Sequence, residues 1–394
     1  MDRLKSWLDN REQTGTRREL LPIERLGAGK IRLADQLQPQ ATLTDFSSND
    51  YLALTEHPHI LSESRRCLEE FGAGAGAARL MSGNLALYGQ LEKAIAGLVG
   101  QETALVFGSG YTANVGIIPA LVGRNDVIFA DRLNHASLYD GCLLSGARLV
   151  RFRHNDPDHL ETQLKRYRGR GQALIVAESI YSMDGDRCPV RDLATLKRRY
   201  DCLLMIDEAH AIGVFGESGG GVIMADGVAA DIDIAMGTFG KALGSYGAYA
   251  GCTGEMAQYL INKARSFIYS TGLPPAVLGA SLAAVSIVQG DPQLRQELER
   301  KVTFFKSCLE KHGVTGLGPS QIVPIRINDS KKAMELAALL RQQGIFATAI
   351  RPPTVPAGTA RIRFSITRHH SEEDLRQAAG TLLRQSRLLG ITIS

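Results

Sequence analysis

The sequence predicts an α/β fold, with a mainly parallel, doubly wound sheet in a large domain and a smaller α+β domain at the C-terminus. Between residues 50 and about 275, short apolar runs alternate with helical patterns, which is typical of parallel strands joined by crossover helices. Beyond about residue 312 the pattern changes to strand, helix, strand, strand and helix. The chain has 394 residues, 44% of them hydrophobic, and exceeds the length at which one core usually stops growing.

We divide the chain into an N-terminal arm (1–48), a large domain (49–285) and a small C-terminal domain (286–394). The arm begins with a charged amphipathic helix and contains a short strand at 41–46, and it is not expected to fold alone. In the large domain, apolar runs predict strands at 104–107, 127–130, 148–152, 173–177, 203–206 and 232–236.

A long helical stretch starts at Pro274-Pro275 and continues to about residue 312. The two prolines are compatible with its start, because proline is tolerated in the first turn of a helix. The small domain begins within this stretch, at residue 286. It is predicted to contain strands at 322–327, 346–350 and 360–366 and helices at 330–343 and 372–389.

The composition favours a small-molecule partner. Lys plus Arg exceeds Asp plus Glu by only +4, which argues against a nucleic-acid partner. The six cysteines form no C-x-x-C pair, so we expect neither a metal site nor a disulfide framework. The N-terminus lacks a signal peptide and no segment is long and apolar enough to span a membrane, so a cytoplasmic protein with no membrane partner is expected.

An acid, an imidazole and an amine follow two neighbouring predicted strands. Asp207 and His210 come after the run 202–206, and Lys241 comes shortly after 232–236, preceded by Thr238. A lysine amine can hold an aldehyde covalently, and a carboxylate facing a pyridine nitrogen keeps it protonated, so that the ring accepts electrons from a carbanion. Because open α/β sheets bind ligands at the carboxyl ends of their strands, these residues predict a pyridoxal phosphate (PLP) site.

The glycine-rich segments are candidates for nucleotide-binding loops. The segment 71–76 follows a helical pattern at 60–70, whereas a dinucleotide fingerprint must follow a strand. Gly72 is therefore interpreted as a helix C-cap, and 216–221 as a surface loop. In contrast, 108–114 directly follows the strand 104–107 and precedes a helical pattern at 115–121, so its small residues and the helix N-terminus can bind a phosphate.

Three further side chains fit the same site. His135 follows the run 127–130, where an imidazole can stack on a planar ring, and Ser182 follows 173–177, where it can reach a ring oxygen. Arg361 and Arg363 alternate along a strand and so share one face. An arginine that points inward from such a face can bind a substrate carboxylate with two hydrogen bonds.

Together these residues resemble the α-oxoamine synthases, PLP-dependent transferases of fold type I, related to aspartate aminotransferase, over nearly the whole chain. The segments that carry the resemblance are 46–52, 130–137, 182–186, 207–210, 269–271 before Pro274-Pro275, and 348–361. The last segment is most similar to the branch of the family that condenses L-alanine with a pimeloyl thioester, on CoA or on a carrier protein, in biotin biosynthesis.

The resemblance implies a role for each matched residue. Lys241 would hold the cofactor and act as acid and base, Asp207 would pair with the ring nitrogen, and His135 would stack on the ring. The ring oxygen would be contacted by His210 and Ser182, and the phosphate by Ser109, Gly110, Tyr111 and Thr238. Thr271 would reach the phosphate of the neighbouring subunit of a homodimer. Asn49 and Arg363 would bind the amino-acid carboxylate, and Arg18 and Thr354 the acyl substrate.

The chain differs from the family in two places. The family often has Gly-Gly-Ser after its glycine run and a histidine before Leu-Glu, where this chain has 76–79 (Gly-Ala-Ala-Arg) and Tyr88. The alternatives are a family member that uses glycine or serine with another acyl-CoA, or a PLP aminotransferase. A NAD-dependent oxidoreductase and a noncatalytic binding protein are the alternatives outside this chemistry.

Overall fold

The computed structural model describes residues 2–34 and 42–393. The chain forms two compact units. The first comprises the described residues of Met1–Ala53 with Met183–Gly185 and Gln296–Ser394, and the second comprises Leu54–Ser182 and Asp186–Arg295. The predicted arm therefore belongs to the same unit as most of the predicted small domain, and the domain boundaries at 48 and 285 stay predictions.

The strands of the described chain are β1 (Ile23–Gly27), β2 (Lys30–Leu33), β3 (Leu43–Asp45), β4 (Thr103–Phe107), β5 (Val127–Asp131), β6 (Arg148–Phe152), β7 (Ala173–Glu178), β8 (Leu203–Asp207), β9 (Ile234–Thr238), β10 (Ala248–Cys252), β11 (Ile322–Arg326), β12 (Ile345–Phe346), β13 (Thr348–Ile350) and β14 (Arg361–Ser365).

The helices of the same residues are α1 (Asp2–Gln13), α2 (Pro58–Phe71), α3 (Ala86–Val99), α4 (Gly110–Leu121), α5 (Ala136–Ser145), α6 (Pro157–Tyr167), α7 (Val190–Tyr200), α8 (Val222–Asp226), α9 (Gly254–Lys263), α10 (Arg265–Ile268), α11 (Pro275–Gly290), α12 (Gln293–Glu310), α13 (Ser330–Gln342) and α14 (Glu372–Leu388).

The second unit is built on a seven-stranded sheet in the order β4-β10-β9-β8-β7-β5-β6. From β6 to β9 the strands are parallel, and β10 pairs antiparallel with both β9 and β4. All six predicted strands are confirmed, and the predicted α/β fold with them. The sequence reading missed β10, because its run of alanine, tyrosine, glycine and cysteine lacks the branched residues that mark a strand.

The core of this unit lies between the sheet and its helices. Every residue of β7 is buried, as expected of a parallel strand that is covered on both faces. On one face Ile117, Leu138 and Phe267, from α4, α5 and α10, pack against sheet residues such as Val176 and Met205. This packing holds the carboxyl ends of the strands at fixed positions.

The first unit contains two small sheets, β1-β2-β3-β12 and β11-β14-β13. The predicted strand at 346–350 is divided between them, because β12 pairs with β3 and β13 pairs with β14. The predicted strand at 41–46 is shortened to β3, and residue 41 lies outside the described residues. The β1-β2 hairpin was missed; its turn uses positive φ angles at Gly27, Ala28 and Gly29.

The predicted helical stretch from Pro274 to about residue 312 is two helices, α11 and α12. Pro292 separates them, since it has no N–H to donate and its ring clashes with a continuing helix. Asp291 is the C-cap residue of α11, and its side chain accepts the N–H of Gln293 at the start of α12 at 2.9 Å. Within residues 2–34 and 42–393, no helix combines the length and apolar character that crossing a membrane would require.

Candidate active site

The carboxyl ends of the central strands and the start of α4 enclose a cavity of about 200 Å³ in the second unit. In the register of the sheet, Glu178 at the end of β7 lies beside Asp207 at the end of β8. The cavity is lined by Gly110, Tyr111, Asn114, His135, Ser137, Glu178, Asp207, Ala209, His210, Met236, Thr238 and Lys241. Seven of the residues predicted from the sequence therefore meet in one cavity.

Asp207 is fixed in place by hydrogen bonds to both carboxylate oxygens. The side-chain amide of Asn114 donates to Oδ2 at 3.1 Å, and the backbone N–H of Ala209 donates to Oδ1 at 2.9 Å. The residue is only 5% exposed. These contacts orient the carboxyl group of Asp207 at the end of β8.

Lys241 and His210 are in direct contact. The Nζ atom of Lys241 lies 2.7 Å from Nε2 of His210, so one nitrogen donates a hydrogen bond and the other accepts it. Lys241 follows β9 in a turn that closes when Gly244 donates its N–H to the Lys241 carbonyl oxygen. The amine and the imidazole are thus arranged to exchange a proton inside the cavity.

His135 is the N-cap residue of α5. Its Nδ1 accepts the N–H of Ser137 at 3.2 Å and lies 2.7 Å from the Ser137 hydroxyl. Burial lowers the pKa of His135, with the Lys241 amine adding to the effect and Asp207 opposing it. A neutral imidazole is the form best suited to lie against an aromatic ring in this cavity.

The helix that follows the predicted phosphate-binding turn begins earlier than the sequence indicated, since α4 starts at Gly110. Ser109 and Thr112 form a capping box: the hydroxyl of Ser109 accepts the N–H of Thr112 at 3.2 Å, and the hydroxyl of Thr112 accepts the N–H of Ser109 at 2.9 Å. A Cβ atom on Gly110 would meet nothing within 4 Å. The first turn of α4 therefore offers N–H groups to the open cavity, where the helix dipole favours an anion.

In the part of the chain that the structure describes, three predicted cofactor residues do not line this cavity. Ser109 uses its hydroxyl to cap α4. Ser182 is buried in the loop after β7, and its backbone N–H donates to Glu178. Thr271 is exposed and forms an isolated bridge with Ala78.

Asn114 and Glu178 line the cavity, and the sequence reading missed both. Glu178 is 3% exposed, and its Oε1 accepts the N–H of His135. Burial, assisted by the negative charge of Asp207 and opposed by Lys241, raises the pKa of Glu178 well above its usual range. Its position after an apolar run is the signal that identified Asp207, so the same rule could have found it.

The predicted carboxylate-binding residues meet in the first unit. Nη2 of Arg363 donates to Oδ1 of Asn49 at 3.1 Å and to the hydroxyl of Tyr51 at 3.2 Å, while Nη1 donates to the hydroxyl of Ser365 at 2.8 Å. Burial raises the pKa of Tyr51. Arg361, on the same face of β14, is paired with Asp184.

The predicted acyl-substrate residues also meet in the first unit. Nη2 of Arg18 donates to the hydroxyl of Thr354 at 2.8 Å, and both side chains are exposed. Arg351 donates to the carbonyl oxygens of Gly15 and Arg17 and so holds the segment that precedes Arg18. Arg18 and Thr354 are therefore neighbours although 336 positions separate them.

The residues that differ from the family pattern have structural roles. Tyr88 is 1% exposed; its hydroxyl accepts the N–H of Leu273 at 2.5 Å, and the guanidinium of Arg79 stacks on its ring at 3.9 Å. The carbonyl oxygen of Ala77 accepts the N–H of Gly272. These contacts hold the segment that carries Thr271.

The segment 216–221, expected to be a surface loop, is partly buried. Gly219, Gly220 and Gly221 are buried, and a Cβ atom on Gly221 would lie 1.6 Å from Oε2 of Glu208. Only a glycine fits beside this buried carboxyl group. The expected C-cap at Gly72 is confirmed, with φ at 86° and its N–H donated to Leu68.

The cavity matches the groups that PLP presents. Asp207 supplies a buried carboxylate for a protonated ring nitrogen, the first turn of α4 supplies N–H groups for a phosphate, and Lys241 supplies an amine for the aldehyde. His135 supplies an imidazole surface. The residues present therefore fit this cofactor.

Comparison with known proteins supports the PLP site that the cavity residues indicate. Residues 41–382 match the family model for aminotransferase class I and II. The chain is 49% identical to the 8-amino-7-oxononanoate synthase of Geobacter sulfurreducens and 50% identical to that of Pelobacter propionicus, in each case over 87% of this chain and 89% of the relative.

A solved structure shows the same fold. It is a serine palmitoyltransferase from S. paucimobilis with bound PLP and myriocin, 27% identical, with a TM-score of 0.92 over 99% of this chain and 98% of that chain. The predicted fold type I architecture, the PLP dependence and the resemblance to the α-oxoamine synthases are confirmed. The chain belongs to the class I and II aminotransferase family and, within it, to the 8-amino-7-oxononanoate synthases, which are PLP-dependent acyltransferases.

Proposed function

We propose that the protein condenses L-alanine with a pimeloyl thioester, carried on CoA or on a carrier protein, as a step of biotin biosynthesis. The products are 8-amino-7-oxononanoate, carbon dioxide and the free thiol. The proposal is supported by relatives of this name that are about half identical to the chain. The observation that carries the chemistry is the meeting of Lys241, His210 and Asp207 in one cavity.

When bound, PLP supplies an electron-accepting ring that stabilises negative charge on the alanine Cα. Asp207 would hold a proton on the ring nitrogen, and Asn114 keeps that carboxylate oriented. Lys241 would bind the cofactor aldehyde through Nζ until alanine replaces it. Gly110, Tyr111, Ser109 and Thr238 would bind the phosphate.

The amine of Lys241 would then remove the proton from the alanine Cα. Its contact with His210 at 2.7 Å favours this role, because the imidazole can take up or return a proton as the amine changes charge. After the new carbon–carbon bond forms and the thiol leaves, the β-keto acid loses carbon dioxide. Lys241 would return the proton to the same carbon.

Arg363 and Asn49 would bind the alanine carboxylate. The residue is 7% exposed, and its guanidinium donates to hydroxyl and amide groups that hold it in one orientation. Such a group binds a carboxylate through two parallel hydrogen bonds. Arg18 and Thr354, hydrogen-bonded to each other, would contact the acyl substrate.

We further propose that the protein acts as a homodimer, in which Thr271 reaches the phosphate of the neighbouring subunit. Thr271 is exposed, and large apolar side chains near it are exposed as well, including Tyr269 at 70% and Met81 at 79%. A second copy would cover this surface. Sedimentation of the PLP-loaded protein would give a dimer mass if the proposal holds and a monomer mass if it fails.

A substrate panel tests the reaction. Alanine, glycine and serine are each combined with pimeloyl-CoA, a pimeloyl carrier protein, acetyl-CoA and palmitoyl-CoA, and released thiol and carbon dioxide are measured. We expect turnover with alanine and a pimeloyl thioester. Preference for glycine or serine would assign another α-oxoamine synthase activity, and formation of an oxo acid from the amino acid alone would assign an aminotransferase.

A further inference from the structure

Glu178 is an acidic residue of the cavity wall to which the reaction above gives no role. It ends β7, one strand away from Asp207, with which it is paired in the register of the sheet. It is 3% exposed and lines the same cavity as Lys241. A buried carboxyl group beside a second carboxylate is costly unless it has a function or is neutral.

The contacts of Glu178 connect two parts of the cavity. Its Oε1 accepts the backbone N–H of His135, which starts α5. The same carboxyl group accepts the backbone N–H of Ser182, in the loop after β7. These two residues come from different connections of the sheet and are 47 positions apart in the sequence (182 − 135).

We propose that Glu178 is a positioning residue for the cofactor, whose single carboxyl group fixes both the imidazole of His135 and the loop that carries Ser182. The inference rests on the proposed roles of His135 at the ring face and Ser182 at the ring oxygen. Both side chains need a fixed backbone to contact a planar ring. The backbone N–H groups of both residues donate to the carboxyl group of Glu178.

The charges around Glu178 favour its neutral form. Burial and the ionised Asp207 disfavour a second negative charge, while Lys241 and the two backbone N–H groups favour it. Asp207 is the carboxylate with two oriented donors. A neutral Glu178 still accepts both N–H groups through its oxygen atoms.

The role can be tested with Glu178→Gln and Glu178→Ala. Glutamine is neutral, has nearly the same shape and keeps a carbonyl acceptor, whereas alanine leaves two buried N–H groups without this partner. We expect the PLP dissociation constant of the alanine variant to rise about tenfold or more. The glutamine variant should bind PLP nearly as well as the wild type.

The PLP-free protein gives a second readout. Hydrogen–deuterium exchange should be faster in the alanine variant for the peptides that contain His135 and Ser182, and should be close to wild type in the glutamine variant. This measurement requires no turnover. It would retain its meaning even if the substrate panel assigned a different reaction.

Glu208 provides the matched control. It is 1% exposed and accepts the N–H groups of Val222 and Ile223, but it does not line the cavity. Glu208→Ala should lower the thermal stability without weakening PLP binding by the folded protein. The proposal is overturned if Glu178→Ala binds PLP and exchanges like the wild type, or if Glu178→Gln loses as much affinity as Glu178→Ala.

Discussion

The cofactor cavity gathers residues that follow the carboxyl ends of adjacent parallel strands, whereas the proposed substrate residues come from distant parts of the chain. Asp207 and Glu178 are neighbours because β8 and β7 are neighbours. Asn49 and Arg363 meet across 314 positions, and Arg18 and Thr354 across 336. Strand order therefore determines the cavity, while the long-range packing of the first unit determines the substrate residues.

The two regions also differ in how their polar groups are held. In the second unit, His154 lies between two carboxylates, with Nδ1 at 2.9 Å from Asp131 and Nε2 at 2.5 Å from Asp186. Asp131 ends β5, and Asp186 belongs to the loop that carries Ser182. In contrast, the Arg18–Thr354 hydrogen bond is exposed. Changes at His154 should therefore have larger effects than changes at the exposed pair.

The largest effect is expected at His154. Burial opposes its charged form, but hydrogen bonds and charges from Asp131 and Asp186 raise its pKa to about 9, above an ordinary value of about 6.5. The folded protein therefore binds the proton more tightly than the unfolded chain. The resulting stability, on the order of 3 kcal/mol, is fully present below about pH 6.5 and is lost as the pH rises through about 9.

Urea unfolding between pH 6 and pH 10 measures this contribution. The wild type should lose its stability advantage over His154→Gln across that window, and the two proteins should converge at the alkaline end. His312→Gln, at an exposed position, is the control and should parallel the wild type. Parallel profiles for wild type and His154→Gln would show that His154 is not charged in the folded state.

A smaller effect is expected at Arg363, and it should be specific to alanine. Arg363→Lys removes the planar pair of donors, so kcat/KM for alanine should fall about 10- to 100-fold, with PLP affinity unchanged. Arg361→Lys is a matched change on the same face of β14. Because Arg361 is paired with Asp184, that variant should lose stability and keep its alanine KM; the opposite pattern would contradict the assignment of Arg363.

The smallest effect is expected at the exposed pair. Arg18→Ala and Thr354→Val should each raise the KM for the pimeloyl thioester by about 2- to 10-fold without changing the KM for alanine. Since the two side chains share one hydrogen bond, the double variant should be little worse than either single variant. Fully additive effects on the KM for the thioester, or an altered KM for alanine, would contradict a shared role of Arg18 and Thr354 at the acyl substrate.

The fold and the cavity could be predicted from the sequence because both depend on local patterns. Apolar runs identified the parallel strands, and the residues that follow them identified Asp207 and Lys241. The strand β10 was missed because alanine and glycine give no strand signal, and Pro292 was not recognised as a helix break. Glu178 was missed although it ends an apolar run, the same signal that identified Asp207; only its contacts depend on tertiary structure.

The substrate residues could not be placed by pattern alone. Alternation along 361–365 put Arg361 and Arg363 on one face of a strand, but only the packing shows that Asp184 pairs with Arg361 and leaves Arg363 to Asn49 and Tyr51. Nothing local to residue 18 indicates that it meets Thr354. These pairings depend on which loops lie against β14 and against the segment after β13.

The central claim is that Lys241 holds the cofactor in the cavity beside Asp207. Borohydride reduction of the PLP-loaded protein, followed by digestion and mass spectrometry, measures which lysine is attached. We expect the PLP-derived mass on the peptide containing Lys241, and its loss together with the visible absorbance and the activity in a folded Lys241→Ala variant. Attachment at another lysine, or activity retained by Lys241→Ala, would contradict the account.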